Sequence, residues 1–112
     1  MTMAKELFQI VIAGIAKRET SADPVNWTVS NPLSGHCAIV SLLAQDIYGG
    51  EILRASLEGT EWKRMRSHYW NKLPSGEIDF TEAQFEGRRP LLIGETRTRD
   101  YLYQMKILKI AI

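Results

Sequence analysis

The sequence predicts an α+β domain in which an N-terminal helix and a central, cysteine-bearing helix pack on a small antiparallel sheet. Three observations predict it. Apolar residues recur at helical spacing in two early stretches, and three later stretches read as strands joined by tight turns. A chain of 112 residues holds one core and leaves no room for a second, so residues 1–112 are read as a single domain.

The first helix is expected from Ala4 to Lys17, with Leu7, Val11, Gly14 and Ile15 on one stripe and Phe8 and Ile12 beside it. Gly14 inside that pattern is unfavourable for a helix and marks an expected close contact. Residues 18–34 are rich in turn formers, including Asp23-Pro24 and Asn31-Pro32, and form a long loop. Trp27 is the expected apolar anchor of that loop. The central helix begins at Gly35-His36-Cys37, carries Ile39, Leu42, Leu43 and Ile47 at helical spacing, and stops at Gly49-Gly50.

Three strands follow as a meander: Glu51 to Leu57, Arg64 to Leu73, and Glu77 to Phe80. Pro74-Ser75-Gly76 is the hairpin turn between the last two. Thr81 to Gln84 fits a capping box before a short helical turn ending near Phe85. Gly87-Arg88-Arg89-Pro90 breaks that turn, and Leu91 to Gly94 is a brief apolar segment of undetermined type. From Thr98, Leu102, Met105 and Leu108 keep helical spacing and predict a terminal helix, against which Tyr101, Tyr103, Ile107, Ile110 and Ile112 leave strand open.

Composition narrows the function. Apolar residues are 45% and charged residues 24%, an ordinary water-soluble balance, and the net charge of +1 gives no general pull toward nucleic acid or anionic lipid. No run approaches the roughly 18–20 apolar residues that cross a bilayer. The acidic residue early in the chain argues against a signal peptide, and a lone cysteine against a disulfide scaffold, so the expected compartment is the cytoplasm. One cysteine and two histidines without close spacing do not predict a metal site, and no phosphate-cradling or dinucleotide motif predicts a cofactor. Lys63, Arg64, Arg66, Arg88, Arg89, Arg97 and Arg99 read first as a solvated surface.

One constellation carries chemistry. A thiol in the first turn of a helix meets unpaired amides and the positive end of the helix dipole. Alternation in the second strand puts Arg66, His68 and Trp70 on one face and Ser67, Tyr69 and Asn71 on the other. The hairpin returns Asp79 within reach of His68 in one register, whereas a slip of one residue turns it away. Cys37, His68 and Asp79 then stand in the order a thiol nucleophile, its base and the base's orienter require, with helix amides to hold an oxyanion. His36, beside the cysteine in sequence, ranks second as a base. The plainer reading makes Cys37 a small core filler and Trp62, Tyr69 and Trp70 packing residues. Asn71 is expected to satisfy backbone groups at the turn, and Asp46 to pair with Arg54 or Arg64.

Three segments, Gly35-His36-Cys37-Ala38, Gln45-Asp46-Ile47-Tyr48-Gly49-Gly50-Glu51-Ile52-Leu53 and the run from His68-Tyr69-Trp70-Asn71 through Leu73-Pro74 and Gly76 to Asp79-Phe80-Thr81, resemble the YunG-like family of small bacterial and phage proteins. Glu19-Thr20-Ser21, Trp27 and Asn31-Pro32 look like its N-terminal half. The arrangement of that family looks like the minimal core of papain-like and NlpC-type thiol hydrolases. The resemblance implies Cys37 as nucleophile, His68 as base and Asp79 as orienter. His36 stands where the family commonly has Gln; where that Gln supplies an oxyanion donor, a histidine N–H can replace it, and Asn31 is a weaker donor candidate.

The expected activity is that of a thiol hydrolase or acyltransferase acting on an amide or acyl bond of a peptide or protein. Trp27 and Trp70 flank the expected substrate groove, with His36 and Asn31 as binding residues. The alternative is a catalytically inactive protein on the same fold that binds a partner, such as a phage-encoded inhibitor of a host protein.

Overall fold

The computed structural model describes residues 3–104. Its elements run α1 (Lys5–Ile15), α2 (Cys37–Tyr48), β1 (Glu51–Ser56), β2 (Ser67–Leu73), β3 (Gly76–Ile78), β4 (Glu95–Arg97) and α3 (Arg99–Gln104). Single 3-10 turns at Arg18–Thr20, Pro24–Asn26, Lys63–Met65 and Glu82–Phe85 shape the connections. The α+β class and the antiparallel sheet are as the sequence predicts, with four strands in the order β3-β2-β1-β4.

α1 buries a different stripe from the one expected. Phe8 and Ile12 are inside, while Leu7, Val11 and Ile15 stay exposed. Apolar residues surround this helix, so spacing alone leaves its inward face undecided. Aromatic packing decides it: Phe8 meets Phe80 edge-on at 4.8 Å and Tyr48 at 5.7 Å, beside Leu33, Val40 and Ala44. Gly14 makes no close contact, contrary to expectation, because it lies on the exposed side.

α2 ends where Gly49 takes a positive φ of 75°, and its amide closes the last turn on the Gln45 carbonyl. The helix lies on the sheet face that carries Ile52 and Tyr69, which pack with Cys37, Ala38, Leu42 and Leu102. Asn71 shares that face and donates to the Ser41 carbonyl at 3.0 Å, so it ties β2 to the helix and not to the following turn. Leu53, Ala55 and Trp70 occupy the other face with Leu92 over them. β1 pairs with β2 in the register Leu53 to Trp70 and Ala55 to His68.

Several boundaries differ from expectation. Residues 63–65 are a 3-10 turn, and Arg66 has a φ of 66°, so β2 starts only at Ser67. β3 stops at Ile78, and β4 is an additional edge strand paired with β1. Asp46 pairs with Arg99 at 3.1 Å, since α3 passes the end of α2, while Arg64 reaches Asp23 and Arg54 reaches Ser67. Among the described residues, α3 (Arg99–Gln104) forms the start of the terminal helix expected from Thr98. The expected positions Met105, Leu108, Ile110 and Ile112 lie outside the described residues. Among the described residues no helix is long and apolar enough to cross a membrane.

Candidate active site

The approach to the cysteine is built by the loop before it. Ala22 N–H donates to the Gly35 carbonyl, and the Ser21 hydroxyl donates to the Ser34 carbonyl at 2.7 Å. Gly35 sits at a φ of 77° directly against this loop. A Cβ there would fall on the Ser21 hydroxyl and lie 2.7 Å from the Asp23 nitrogen. Cys37 is thereby set at the first helical position of α2. Among the described residues, the amides of Cys37, Ala38 and Ile39 find no acceptor, which is the ordinary state of a helix start.

β2 supplies the imidazole. Its partner β3 pairs only with Asn71–Leu73, so among the described residues the flank of β2 beside His68 carries no strand. Two residues, Pro74 and Ser75, make the hairpin, and this register sets Asp79 diagonally from His68 just past the end of β3. His68 Nε2 meets Asp79 Oδ2 at 2.6 Å, with the ring wholly buried. The ring stacks on Trp70 at 5.5 Å and takes the edge of Phe85 at 4.8 Å. Nδ1 is buried without a hydrogen-bond partner. Cys37 packs with Tyr69 on the helix side of the sheet while His68 lies beside Trp70, and no hydrogen bond among the described residues joins the sulfur to the ring; the sulfur enters only as one of the influences that raise the His68 pKa.

Every oxygen of Asp79 is engaged. Oδ2 also accepts from Arg89 Nε at 2.7 Å, and Oδ1 accepts from the Thr81 amide at 3.1 Å and hydroxyl at 3.3 Å. The Asp-x-Thr spacing at 79–81 is thus an Asx turn that locks the carboxylate. Gln84 extends the network, donating to the Thr81 hydroxyl at 2.9 Å and accepting from Gly35 N–H at 3.3 Å. This replaces the expected capping box. The Gln84 side chain serves the Thr81 hydroxyl, and that hydroxyl serves Asp79 and not the end of the 3-10 turn.

Burial is the strongest influence on His68 and by itself lowers its pKa. The Asp79 hydrogen bond and the Cys37 sulfur oppose it, and the balance pushes the pKa up from 6.5 to about 9. Burial likewise favours the neutral form of Asp79, but His68 and Arg89 hold its carboxyl below the usual carboxylate range. Since the folded pKa of His68 exceeds the unfolded one, its contribution to stability is complete below pH 6.5 and is lost as pH rises through about 9. That contribution is on the order of 3 kcal/mol. The urea midpoint is therefore expected to fall between about pH 6 and about pH 10 in the wild type. A profile equally steep in His68→Gln would contradict this assignment.

The remaining expected site residues divide. Trp70 belongs to the constellation, with its indole N–H on Glu77 at 2.8 Å and the Arg89 guanidinium 5.1 Å from its ring centre. His36 is buried, with Nδ1 donating to the Ser34 carbonyl at 3.1 Å and Nε2 facing the Thr20 hydroxyl at 2.8 Å. Burial lowers its pKa, and neither nitrogen is left to hold an oxyanion. Asn31 spends its side-chain amide on the Gln84 carbonyl and Glu86. Trp27 donates to the Pro32 carbonyl and lies under Arg18, as a loop anchor.

A cleft of about 190 Å³ lined by Trp70, Glu77, Ile78, Asp79, Glu82 and Arg89 opens on the outer side of the carboxylate. Neither Arg89 nor Gln84 carries a site signal in the sequence. Arg89 lies in a run that reads as surface charge, and Gln84 carries a capping signal that is spent differently.

Residues 5–106 match the family described as YunG protein, and the chain belongs to that family. It is similar to the uncharacterized protein YunG of Bacillus subtilis (strain 168), at 32% identity over 60 residues. That alignment covers 54% of this chain and 47% of the relative, so the chain spans about half the length of the curated protein it matches. No solved structure matches.

Proposed function

We propose that this YunG-family protein is a thiol hydrolase or acyltransferase of papain-like chemistry, with Cys37 as nucleophile, His68 as base and Asp79 as orienter. One observation carries the reading. His68 is held through Nε2 by a locked carboxylate, its buried Nδ1 has no hydrogen-bond partner, and the Cys37 sulfur is among the influences that raise the pKa of the ring.

In the reaction, Nδ1 takes the thiol proton and the sulfur attacks the carbonyl carbon of an amide or ester. Oxyanion charge falls to the free amides at the start of α2, since the His36 ring is already engaged. Collapse expels the amine or alcohol, which receives the proton from His68, and leaves a thioester on Cys37. Water or a second nucleophile then releases the acyl group and restores the thiol.

p-Nitrophenyl acetate tests this sequence of steps without knowledge of the natural substrate. Mixing is expected to release a burst of nitrophenol equivalent to the protein, with the acetyl group found on Cys37 by mass spectrometry. The burst is expected to be absent in Cys37→Ala and at least about 100-fold slower in His68→Ala. A burst that persists unchanged in His68→Ala would reject the assignment of the base.

A second reading, a binding protein that makes no use of its thiol, draws on a different observation. Cys37 is only 7% exposed and His68 fully enclosed, while Leu7, Ile10 and Ile15 of α1 face solvent. It predicts that Cys37 stays unlabelled by an excess of alkylator until the protein is unfolded.

A further inference from the structure

The geometry points to Arg89 as a positioning residue of the Cys37–His68–Asp79 set. Its fixed cation holds the Asp79 carboxylate and opposes a second positive charge on His68. The inference extends the thiol-enzyme reading and draws its catalytic meaning from it.

Two donors share one oxygen. Arg89 Nε lies 2.7 Å and His68 Nε2 2.6 Å from Asp79 Oδ2. The pair is largely removed from water, with side-chain exposures of 22% for Arg89 and 5% for Asp79. The guanidinium is itself fixed on three sides: by the carboxylate, by the Trp70 ring at 5.1 Å, and by Nη1 on the Pro90 carbonyl at 3.3 Å. Trp70 is held in turn by Glu77.

A buried carboxylate with imidazole as its sole partner favours the imidazolium strongly, because an unpaired buried charge is costly. A base must be able to stand neutral before it takes a proton. An arginine is charged at all working pH values, so at Oδ2 it answers the carboxylate permanently and opposes a second cation on His68. Among the described residues, the other charged or titratable groups near the pair are Cys37, which acts on the ring, and Glu77 and Glu82, which line the same cleft as the carboxylate. The ring neighbours Trp70 and Phe85 carry no charge.

NMR titration of labelled histidine rings reads this directly, since the sequence has two histidines and His36 is engaged with Thr20 and Ser34 away from Arg89. In Arg89→Met and Arg89→Gln the His68 midpoint is expected to rise by about one pH unit, with His36 unmoved. Arg89→Lys is expected to restore most of the difference. An unchanged or lowered His68 midpoint in folded Arg89→Met or Arg89→Gln would overturn the inference. Should neither uncharged variant fold, a folded Arg89→Lys with a near-wild-type midpoint supports the charge requirement, and its failure to fold assigns Arg89 a structural role only and overturns it. No reaction of Cys37 enters the readout. An unreactive thiol would therefore remove the enzymatic reading without touching this result, and the converse also holds.

Discussion

Asp79→Asn is expected to destabilise the protein by about 3–5 kcal/mol, the usual cost of breaking a buried ion pair from one side. The carboxylate accepts from His68, Arg89 and twice from Thr81, and no donor is tolerated at either oxygen. An amide puts an NH2 group against two of those donors and leaves Arg89 without its countercharge. The His68 midpoint is expected to fall at the same time, because its hydrogen bond to Asp79 is the first of the influences that raise it. Urea denaturation near neutral pH checks the first effect and histidine NMR the second. A variant within about 0.5 kcal/mol of the wild type would show that the network contributes no more than an ordinary surface contact.

Gly35→Ala is the second large effect. A Cβ at this position meets the Ser21 hydroxyl and the Asp23 backbone, and the left-handed φ of 77° adds strain of its own. The backbone atom cannot swing aside as a flexible side chain would. A loss of about 3 kcal/mol or more is expected, together with displacement of the start of α2. Ser21→Ala removes the hydroxyl but not the Asp23 backbone contact, so the double variant is expected to recover only part of the loss. Full recovery would locate the strain in the Ser21 side chain alone.

Much of this arrangement was legible in residue order. The cysteine at a helix start follows from the turn formers before it and the apolar spacing after it. Alternation in β2 separates His68 and Trp70 from Tyr69 and Asn71, which is how the two sheet faces divide. Reach between His68 and Asp79 depended on a register that strand composition leaves open. The two-residue turn at Pro74-Ser75 settles it, because so short a connection permits few pairings.

Other features depend on contacts distant in sequence. β4 has three residues, Glu95, Thr96 and Arg97, with no apolar alternation, and it exists because β1 offers an unpaired edge. The inward face of α1 was hidden by apolar residues on all sides and is chosen by Phe80 and Tyr48. Arg89 reads as one cation among several, and only the path of the chain past Trp70 brings it to Asp79. His36 looks like a site residue by adjacency, yet Thr20 and Ser34 claim its ring. The Glu19-Thr20-Ser21 segment is thus explained as the seat of the helix start.

The most direct measurement is the second-order rate of iodoacetamide with Cys37 near neutral pH, compared between the wild type, His68→Ala and a free thiol. The account predicts a wild-type rate at least about tenfold above the free thiol, and a His68→Ala rate at or below it. A wild-type rate equal to that of the variant would mean that sulfur and imidazole do not act together, and would contradict the account at its centre.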